Sequence, residues 1–256
     1  MTGHHTRTII RLLLRVGDHC DRLIEEHIRG VRCRSVQVDE TWTYVAKKQR
    51  RVTDRDPWEY GDAYVFIALD PHTKLVPCYL VGKRDLWHAH EFMRMLSQRI
   101  AGRTQISVDG YGPYPAAIRG AFNGRVDAAK VVKTFGGANT DADHRYSPPS
   151  IIDMKKVWIA GRPRNHLIST SHVERNNLTL RMQSRRFTRL TNAFSKTLDG
   201  LQAAVALHYA WYNFVRIHRS LRTTPAVSAK IASAPWRIED LIPGPGGGRK
   251  APLSIG

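Results

Sequence analysis

Residues 62–70 constrain the fold more than any other part of the chain. Between two aspartates they read Ala-Tyr-Val-Phe-Ile-Ala-Leu. A nearly continuous apolar run of this length is typical of a central strand that is buried on both faces of a sheet. Because helices or further layers must cover such a strand, the run predicts a layered α/β domain.

Changes in the period of apolar residues predict the other elements. Spacings of three to four residues predict helices over 6–29, 86–100, 115–122, 169–186 and 198–219. Alternation and short apolar runs predict strands over 34–45, 62–70, 74–81, 104–108 and 126–132. The second and third of these strands are predicted to form an antiparallel hairpin. Residues 135–164 contain the pairs Gly136-Gly137 and Pro148-Pro149 and are predicted to be irregular.

This order of elements predicts a mixed sheet flanked by helices. A strand meander followed by strand–helix crossovers is compatible with a ribonuclease H-like fold. We expect a short N-terminal helical segment (1–33), the α/β domain (34–222) and a C-terminal extension (223–256). The end of the extension is rich in Pro and Gly and is predicted to be disordered.

The chain is strongly basic. Lys and Arg number 40 against 22 Asp and Glu, which gives a formal net charge of +18. Such a surplus favours a polyanionic partner, because each neutralised phosphate releases a condensed counterion. The charge predicts a nucleic acid as partner; a ribosome-type protein and a membrane-surface binder are the alternatives.

The cysteines and the hydropathy narrow the class further. Cys20, Cys33 and Cys78 form no Cys-x-x-Cys pair and no zinc-finger spacing, so we expect small buried side chains without zinc or disulfides. No stretch approaches the ~18–20 apolar residues of a membrane span. A reducing cytoplasm is the location that this composition favours.

Three carboxylates stand where elements of a sheet domain can converge. Asp39 lies at or within a strand, Asp109 directly follows another strand, and Glu174 lies in the first turn of a predicted helix. Strands hold such side chains rigidly, and a helix across the sheet edge can add a third. Three carboxylates can hold two Mg²⁺ or Mn²⁺ ions about 3.5–4 Å apart for phosphodiester chemistry.

Each carboxylate has an alternative explanation. Glu40 competes with Asp39 as the ligand, although strand alternation places it on the opposite face. Asp70 competes with Asp109, since it also ends a buried strand, and Asp-Gly and Asp-Pro are common in turns. Ser171-x-x-Glu174 matches a capping box, in which the glutamate bonds the helix N-terminus.

Basic residues surround the third carboxylate in sequence. An abundance of Arg without acidic partners favours phosphate binding over a solvated arginine face. Arg181 follows Glu174 by two helical turns and is expected to share its face. The candidate nucleic-acid contacts are Arg175, Arg181, Arg185, Arg186, Lys155 and Lys156.

Five segments resemble the bacterial insertion-sequence-one family of transposases. Two contain the aspartates: Ser-Val-Gln-Val-Asp39-Glu-Thr-Trp-Thr-Tyr and Ile-Ser-Val-Asp109-Gly-Tyr. The third is Ile-Ser-Thr-Ser-His-Val-Glu174-Arg-Asn-Asn-Leu-Thr-Leu-Arg-Met. The others are Ser184-Arg-Arg-Phe-Thr-Arg-Leu-Thr-Asn-Ala-Phe-Ser-Lys and Tyr212-Asn-Phe-Val-Arg-Ile-His. The likeness runs over about 6–242.

The resemblance implies an Asp-Asp-Glu transposase with a ribonuclease H-like catalytic domain. The triad would be Asp39, Asp109 and Glu174, and the activity would be Mg²⁺-dependent cleavage and strand transfer at the ends of a transposable element. Transposition brings two ends together, so the mechanism implies a homo-oligomer. The resemblance also implies double-stranded DNA as the partner and a cytoplasmic, nucleoid-associated location in a bacterium.

The N-terminal region departs from the family pattern. The family's catalytic domain usually follows a cysteine cluster and a helix-turn-helix, and residues 6–16 resemble only the last helix of that unit. The alternative functions are a non-catalytic DNA-binding regulator or an inactive remnant, and a nuclease of the same fold.

Overall fold

A computed structural model describes residues 3, 5–136, 151–188 and 191–244. The main helices are α1 Thr6–His27, α2 Leu86–Arg99, α3 Tyr114–Phe122, α4 Ser171–Gln183, α5 Leu198–Ala210 and α6 Pro225–Ser228. The strands are β1 Ser35–Val45, β2 Gly61–Leu69, β3 Cys78–Gly82, β4 Thr104–Val108, β5 Val126–Phe135 and β6 Ile151–Ala160. No described helix is long and apolar enough to cross a membrane.

The six strands form one mixed sheet in the order β3-β2-β1-β4-β5-β6. β1, β2 and β3 are joined by antiparallel pairing, whereas β4 and β5 continue from β1 in parallel and β6 closes the edge antiparallel to β5. A meander of three strands followed by two parallel crossovers is the ribonuclease H-like arrangement, so the predicted fold class is confirmed.

Helices cover both faces of the sheet. On one face α4 packs against β1 while α5 contacts β3, and α1 packs along α5. On the other face Phe66 of β2 meets Phe92 of α2 with ring centroids 5.7 Å apart, and α3 packs beside α2. This two-sided cover buries β2, as its continuous apolar run predicts.

Gly17 has a packing role that its sequence context does not reveal. In sequence it interrupts a helix that apolar spacing predicts, and it is expected only to weaken that helix. In the structure a Cβ at this position would lie 2.4 Å from Cβ of Ala203, so Gly17 lets α1 and α5 approach closely. The same approach buries the C-terminal half of α1 but leaves Ile9 and Leu12 of the predicted apolar stripe exposed.

Two predictions of secondary structure are wrong. The stretch 135–164 is not irregular throughout, because it contains the ten-residue strand β6. The last long helix does not reach residue 219: α5 passes into the π-helical turn Trp211–Val215, and the chain is extended at Arg216. The predicted disordered tail lies mostly outside the described residues, as do residues 137–150.

Candidate active site

Strand register brings the two aspartates together. Gln37 of β1 pairs with Ser107 of β4 in parallel, so two residues further on Asp39 lies level with Asp109, which follows the end of β4. Carboxylate oxygens of Asp39, Glu40 and Asp109 all lie within 4.8 Å of one another. The structure therefore brings the two predicted aspartates together. It also brings in Glu40, whose carboxylate reaches the cluster although strand alternation directs its side chain to the opposite face of β1.

Helix α4 is attached to β1 by buried side chains. The Gln37 carboxamide oxygen accepts the backbone N–H groups of His172 (2.8 Å) and Val173 (3.1 Å), in the first turn of the helix. One turn after Glu174, Asn177 donates its amide N–H to Asp39 at 2.8 Å. Because these bonds lie on both sides of Glu174 along the helix, they fix its position relative to Asp39.

Glu174 itself is held by two groups outside the aspartate pair. Lys133 of β5 forms an ion pair with its carboxylate, and the Thr170 hydroxyl donates to the same oxygen at 2.6 Å. The alternative explanation of Glu174 by a Ser171-x-x-Glu174 capping box is wrong, since Thr170 is the N-cap of α4 and its side chain makes no capping hydrogen bond. The negative charge of Glu174 nevertheless contributes to raising the pKa of both Asp39 and Asp109.

Glu40 is held on the other face of β1. The fully buried Tyr114 hydroxyl of α3 donates a hydrogen bond to it, and Arg84 donates from Nε at 3.3 Å. The side chain is only 4% exposed. Arg84 also approaches Asp109 to 4.0 Å and stacks on Tyr111 with its guanidinium carbon 4.0 Å from the ring centre. The guanidinium is therefore fixed by an acid, an aromatic ring and the edge of the carboxylate cluster.

The cluster concentrates negative charge in a poorly solvated place. Burial and the neighbouring Asp109 raise the pKa of Asp39 to about 7, against the hydrogen bond from Asn177. Burial and Asp109 likewise raise the pKa of Glu40 to about 7, although the bond from Tyr114 opposes the shift. The pKa of Asp109 is also raised, first by burial. Carboxylates perturbed by burial and like charge are a frequent mark of functional sites.

The alternative carboxylate, Asp70, is a turn residue. Its oxygens accept the backbone N–H of His72 and the hydroxyl of Thr73, both at 2.8 Å. Because β2 runs antiparallel to β1 and Leu69 pairs with Gln37, Asp70 is displaced toward the start of β1, away from Asp39. It therefore closes the turn between β2 and β3, and it lies outside the carboxylate cluster.

The predicted basic contacts lie on three elements. Arg175 is exposed and Arg181 half-buried on α4, and Arg185 is exposed in the short 3₁₀ turn that follows. Arg186 in that turn donates to the Ser195 hydroxyl at 3.0 Å, and burial lowers its pKa. The two lysines of the set are exposed on β6.

The donor set fits a hard divalent cation. The cluster offers only carboxylate oxygens, the ligand type that Mg²⁺ and Mn²⁺ prefer. The buried amide oxygen of Asn177 beside Asp39 has no hydrogen-bond partner among the described residues. All three cysteines are buried without a disulfide, so no thiolate competes for such an ion at this place.

Sequence reasoning missed four side chains of this site: Gln37, Arg84, Lys133 and Asn177. Only Asn177 carried a local signal, because it follows Glu174 by three residues and must share its helix face. The others reach the site through strand pairing or loop placement, for which the sequence has no local pattern.

No protein-family model matches the chain, and no curated protein matches it in sequence. Among solved structures, it is similar to a piggyBac transposase synaptic complex with hairpin DNA, at 12% identity and TM-score 0.37 over 75% of this chain and 49% of that one. It is similar to a Mos1 transposase paired-end complex with the left transposon end, at 17% identity and TM-score 0.23 over 48% and 42%. A Mos1 strand transfer complex matches at 13% identity and TM-score 0.26 over 78% and 59%.

The chain thus spans about half the length of the solved chains it matches. Its own strand order and carboxylate cluster define the class: a ribonuclease H-like domain with an acidic site where β1 and β4 lie side by side.

Proposed function

We propose that this protein is a DNA transposase that cleaves and joins strands at a Mg²⁺ or Mn²⁺ site formed by Asp39, Asp109 and Glu174. The observation that carries the proposal is the register of β1 and β4, which sets the two aspartates side by side. The attachment of α4 to β1 then brings Glu174 within electrostatic reach of both. A triad spread over two strands and a helix fits the Asp-Asp-Glu pattern that the sequence motifs resemble.

Divalent ions bound here would activate a water or a 3′-hydroxyl and stabilise the leaving oxygen of a phosphodiester. The chain's own groups have other tasks. Asn177 and the backbone near Glu40 orient the Asp39 carboxylate, and Gln37 fixes the helix that carries Glu174. Arg84, stacked and ion-paired beside Asp109, is placed to contact a phosphate oxygen at the cluster.

The net charge of +18 supports DNA as the substrate. We assign phosphate contacts to the basic residues of α4, of the following turn and of β6: Arg175, Arg181, Arg185, Arg186, Lys155 and Lys156. We further propose membership of the insertion-sequence-one family, action on transposon ends and target DNA in a bacterial cytoplasm, and a homo-oligomer.

We also propose the division into an N-terminal segment, 1–33, a catalytic unit, 34–222, and a C-terminal extension, 223–256. Within it, α1 packs against α5 of the catalytic unit.

One contact favours a second candidate, a DNA-binding regulator without catalysis. Lys133 pairs with Glu174, which neutralises the third carboxylate in the way that a bound cation would. A protein in which this pair never opened would bind DNA through its basic surface without cutting it.

The test is an incubation of the purified protein with a labelled duplex that carries the ends of its element, with Mn²⁺ or EDTA. We expect Mn²⁺-dependent nicks at 3′ ends and joined products for the wild type. In Asp109→Asn both should fall by ~10³-fold or more, because an amide cannot replace an anionic ligand. DNA affinity should stay within about twofold, since a charge buried in the cluster contributes little to phosphate binding.

The matched control is Asp127→Asn on the neighbouring strand β5, which changes a carboxylate that pairs with Arg103 and should leave cleavage unchanged. Full cleavage in Asp109→Asn would refute the site. Tight DNA binding by the wild type without any cleavage in Mn²⁺ would favour the regulator, and cleavage without joined product would favour a nuclease.

A further inference from the structure

Strand β6 exposes apolar side chains along almost its whole length. It is the last strand of the sheet, and among the described residues only β5 pairs with it. Ile152 is 67% exposed and Trp158 61%, and three further large apolar residues of the strand are also exposed: Ile151, Met154 and Val157. A free edge that carries this much apolar surface is costly in water and is a template for pairing with another chain.

The regular part of β6 is short. Its register with β5 shifts between Thr134 and Phe135 and again between Ala128 and Ala129. Such irregularities bend a strand and limit edge pairing to the stretch between them. The stretch available for an additional strand is therefore about residues 153–158.

Charge selects one register in which this stretch can pair with itself. Two identical strands in one antiparallel sheet are related by a twofold axis, and opposite residues must face the same side, so the axis passes through a residue position. An axis at Asp153 sets two aspartates opposite each other, and an axis at Lys155 or Lys156 sets two lysines opposite each other. Within β6, only an axis at Met154 pairs opposite charges.

We propose that β6 is a dimerisation strand that pairs antiparallel with β6 of a second copy of this chain, about a twofold axis at Met154. Asp153 of each copy then faces Lys155 of the other, so the interface contains two symmetric ion pairs. The two six-stranded sheets become one continuous sheet, and the two Met154 side chains meet at its centre.

The composition of the strand favours a second copy over DNA as the occupant. Five exposed large apolar side chains on one edge strand match a protein interface, whereas phosphate contacts come from polar and basic groups. Strand pairing uses the backbone edge of β6, so the exposed side chains of Lys155 and Lys156 stay on the faces of the sheet, where the proposed phosphate contacts lie. Within one copy, Lys155 lies 3.7 Å from Asp153, and Lys156 donates to the backbone oxygen of Asn165 at 2.9 Å. In the dimer, Asp153 exchanges this exposed contact within the strand for one across the interface.

The proposal is tested by sedimentation equilibrium of the full-length protein without DNA, for the wild type and single charge reversals. Asp153→Lys sets lysines opposite Lys155, and Lys155→Asp sets aspartates opposite Asp153. Because the axis doubles each change, we expect the dimer dissociation constant to rise about tenfold or more in either variant. The swap Asp153→Lys with Lys155→Asp restores opposite charges and should return the dissociation constant to within about threefold of the wild type.

The controls carry the same charge changes on the exposed connection between β1 and β2: Asp54→Lys and Arg55→Asp. They should dimerise like the wild type. A wild type that sediments as a monomer at every concentration would overturn the proposal, as would a dimer that neither reversal weakens. If both reversals weaken the dimer and the swap does not restore it, the axis at Met154 would be refuted, and the loss would come from disruption of β6. The dimer would be the homo-oligomer proposed above. None of these outcomes depends on cleavage activity, so the proposed catalytic function stands or fails separately.

Discussion

The acidic site and strand β6 belong to one sheet, and both depart from the usual rule that charged residues are exposed and apolar residues are buried. They do so in opposite ways. At the site, Asp39, Glu40 and Asp109 carry negative charge into a place where burial raises the pKa of each. At the edge, β6 carries apolar side chains out into water. A buried charge and an exposed apolar strand both cost free energy in the isolated chain.

The two costs are offset in different ways. The carboxylates are surrounded by side chains that orient them, so an added cation would relieve the repulsion without rearranging the fold. No such support surrounds the outer edge of β6 in the part of the chain that the structure describes, and in the proposed dimer a second copy supplies it. In both regions, the residues that indicate function raise the free energy of the isolated chain until a ligand binds: a cation at the carboxylates, and a second copy at β6.

The largest expected effect is a difference in the free energy of unfolding between a truncation in the buried sheet and one on the exposed strand β6. Ile67→Ala in the buried strand β2 should lower the free energy of unfolding by about 2–5 kcal/mol, because it leaves a cavity in a packed core. Ile152→Ala on β6 removes a comparable side chain that is 67% exposed and should cost no more than about 0.5 kcal/mol. Urea unfolding at micromolar protein concentration measures both. Equal losses would show that β6 is covered within one copy, and the contrast would disappear.

The second effect is the dependence of stability on pH in EDTA. The pKa of Asp39 is raised in the folded state to about 7, so its protonated form is stabilised by folding. That contribution is complete below the unfolded value near 4 and is lost as the pH rises through about 7.

Asp39→Asn should therefore match the wild type at pH 4 and exceed its free energy of unfolding by about 4 kcal/mol at pH 8. Saturating Mn²⁺ should reverse the order at pH 8, because only the wild type gains from the ion. Parallel pH profiles in EDTA would show that burial and the neighbouring Asp109 do not raise the pKa of Asp39 in the folded protein.

A third prediction concerns the attachment of α4 to β1. Gln37→Leu leaves two helix N–H groups without their acceptor and should cost about 1–3 kcal/mol of unfolding free energy. The matched control is Gln105→Leu, which removes two bonds to the backbone of Arg164 in the same sheet. Both variants should lose stability, but only Gln37→Leu should also lose most of the rise in melting temperature caused by Mn²⁺. An equal Mn²⁺ response in both would separate Gln37 from the site.

The smallest expected effect comes from the cation that pairs with Glu174. Lys133→Met removes a positive charge that competes with a metal ion, so Mn²⁺ should bind about tenfold more tightly in a calorimetric titration. Lys130→Met, with the same change of charge on the same strand, should shift the affinity by less than about twofold. A weaker Mn²⁺ affinity in Lys133→Met would mean that Lys133 supports the site instead of competing for it.

Much of the fold followed from local pattern. The buried run of β2, the amphipathic spacing of α2 and the short strand before Asp109 each predicted an element within a few residues of its observed bounds. β6 was missed because its sequence, Ile-Ile-Asp-Met-Lys-Lys-Val-Trp-Ile-Ala, shows neither strict alternation nor an uninterrupted apolar run. Its conformation comes from pairing with β5 across the intervening segment.

The candidate site was predictable only in part. Asp39 and Asp109 stood out because each accompanies a strand, and the register of β1 and β4 placed them together. Glu40 was assigned to the far face by alternation. Asp109, however, lies beyond the end of β4, where no strand separates the two faces, and so both neighbouring carboxylates approach it.

The sequence alone was enough to predict most of the helices and strands, the strand that is buried on both faces, and the large positive charge. These properties depend on residues that are close in sequence or on composition, so they can be predicted without knowing the tertiary structure. The contact of Glu174 with Lys133, the approach of Glu40 to the aspartates and the position of β6 at the edge of the described sheet are set by the tertiary structure. Those outcomes depend on strand order and register, which are set by hydrogen bonds between segments far apart in the chain and carry no local period.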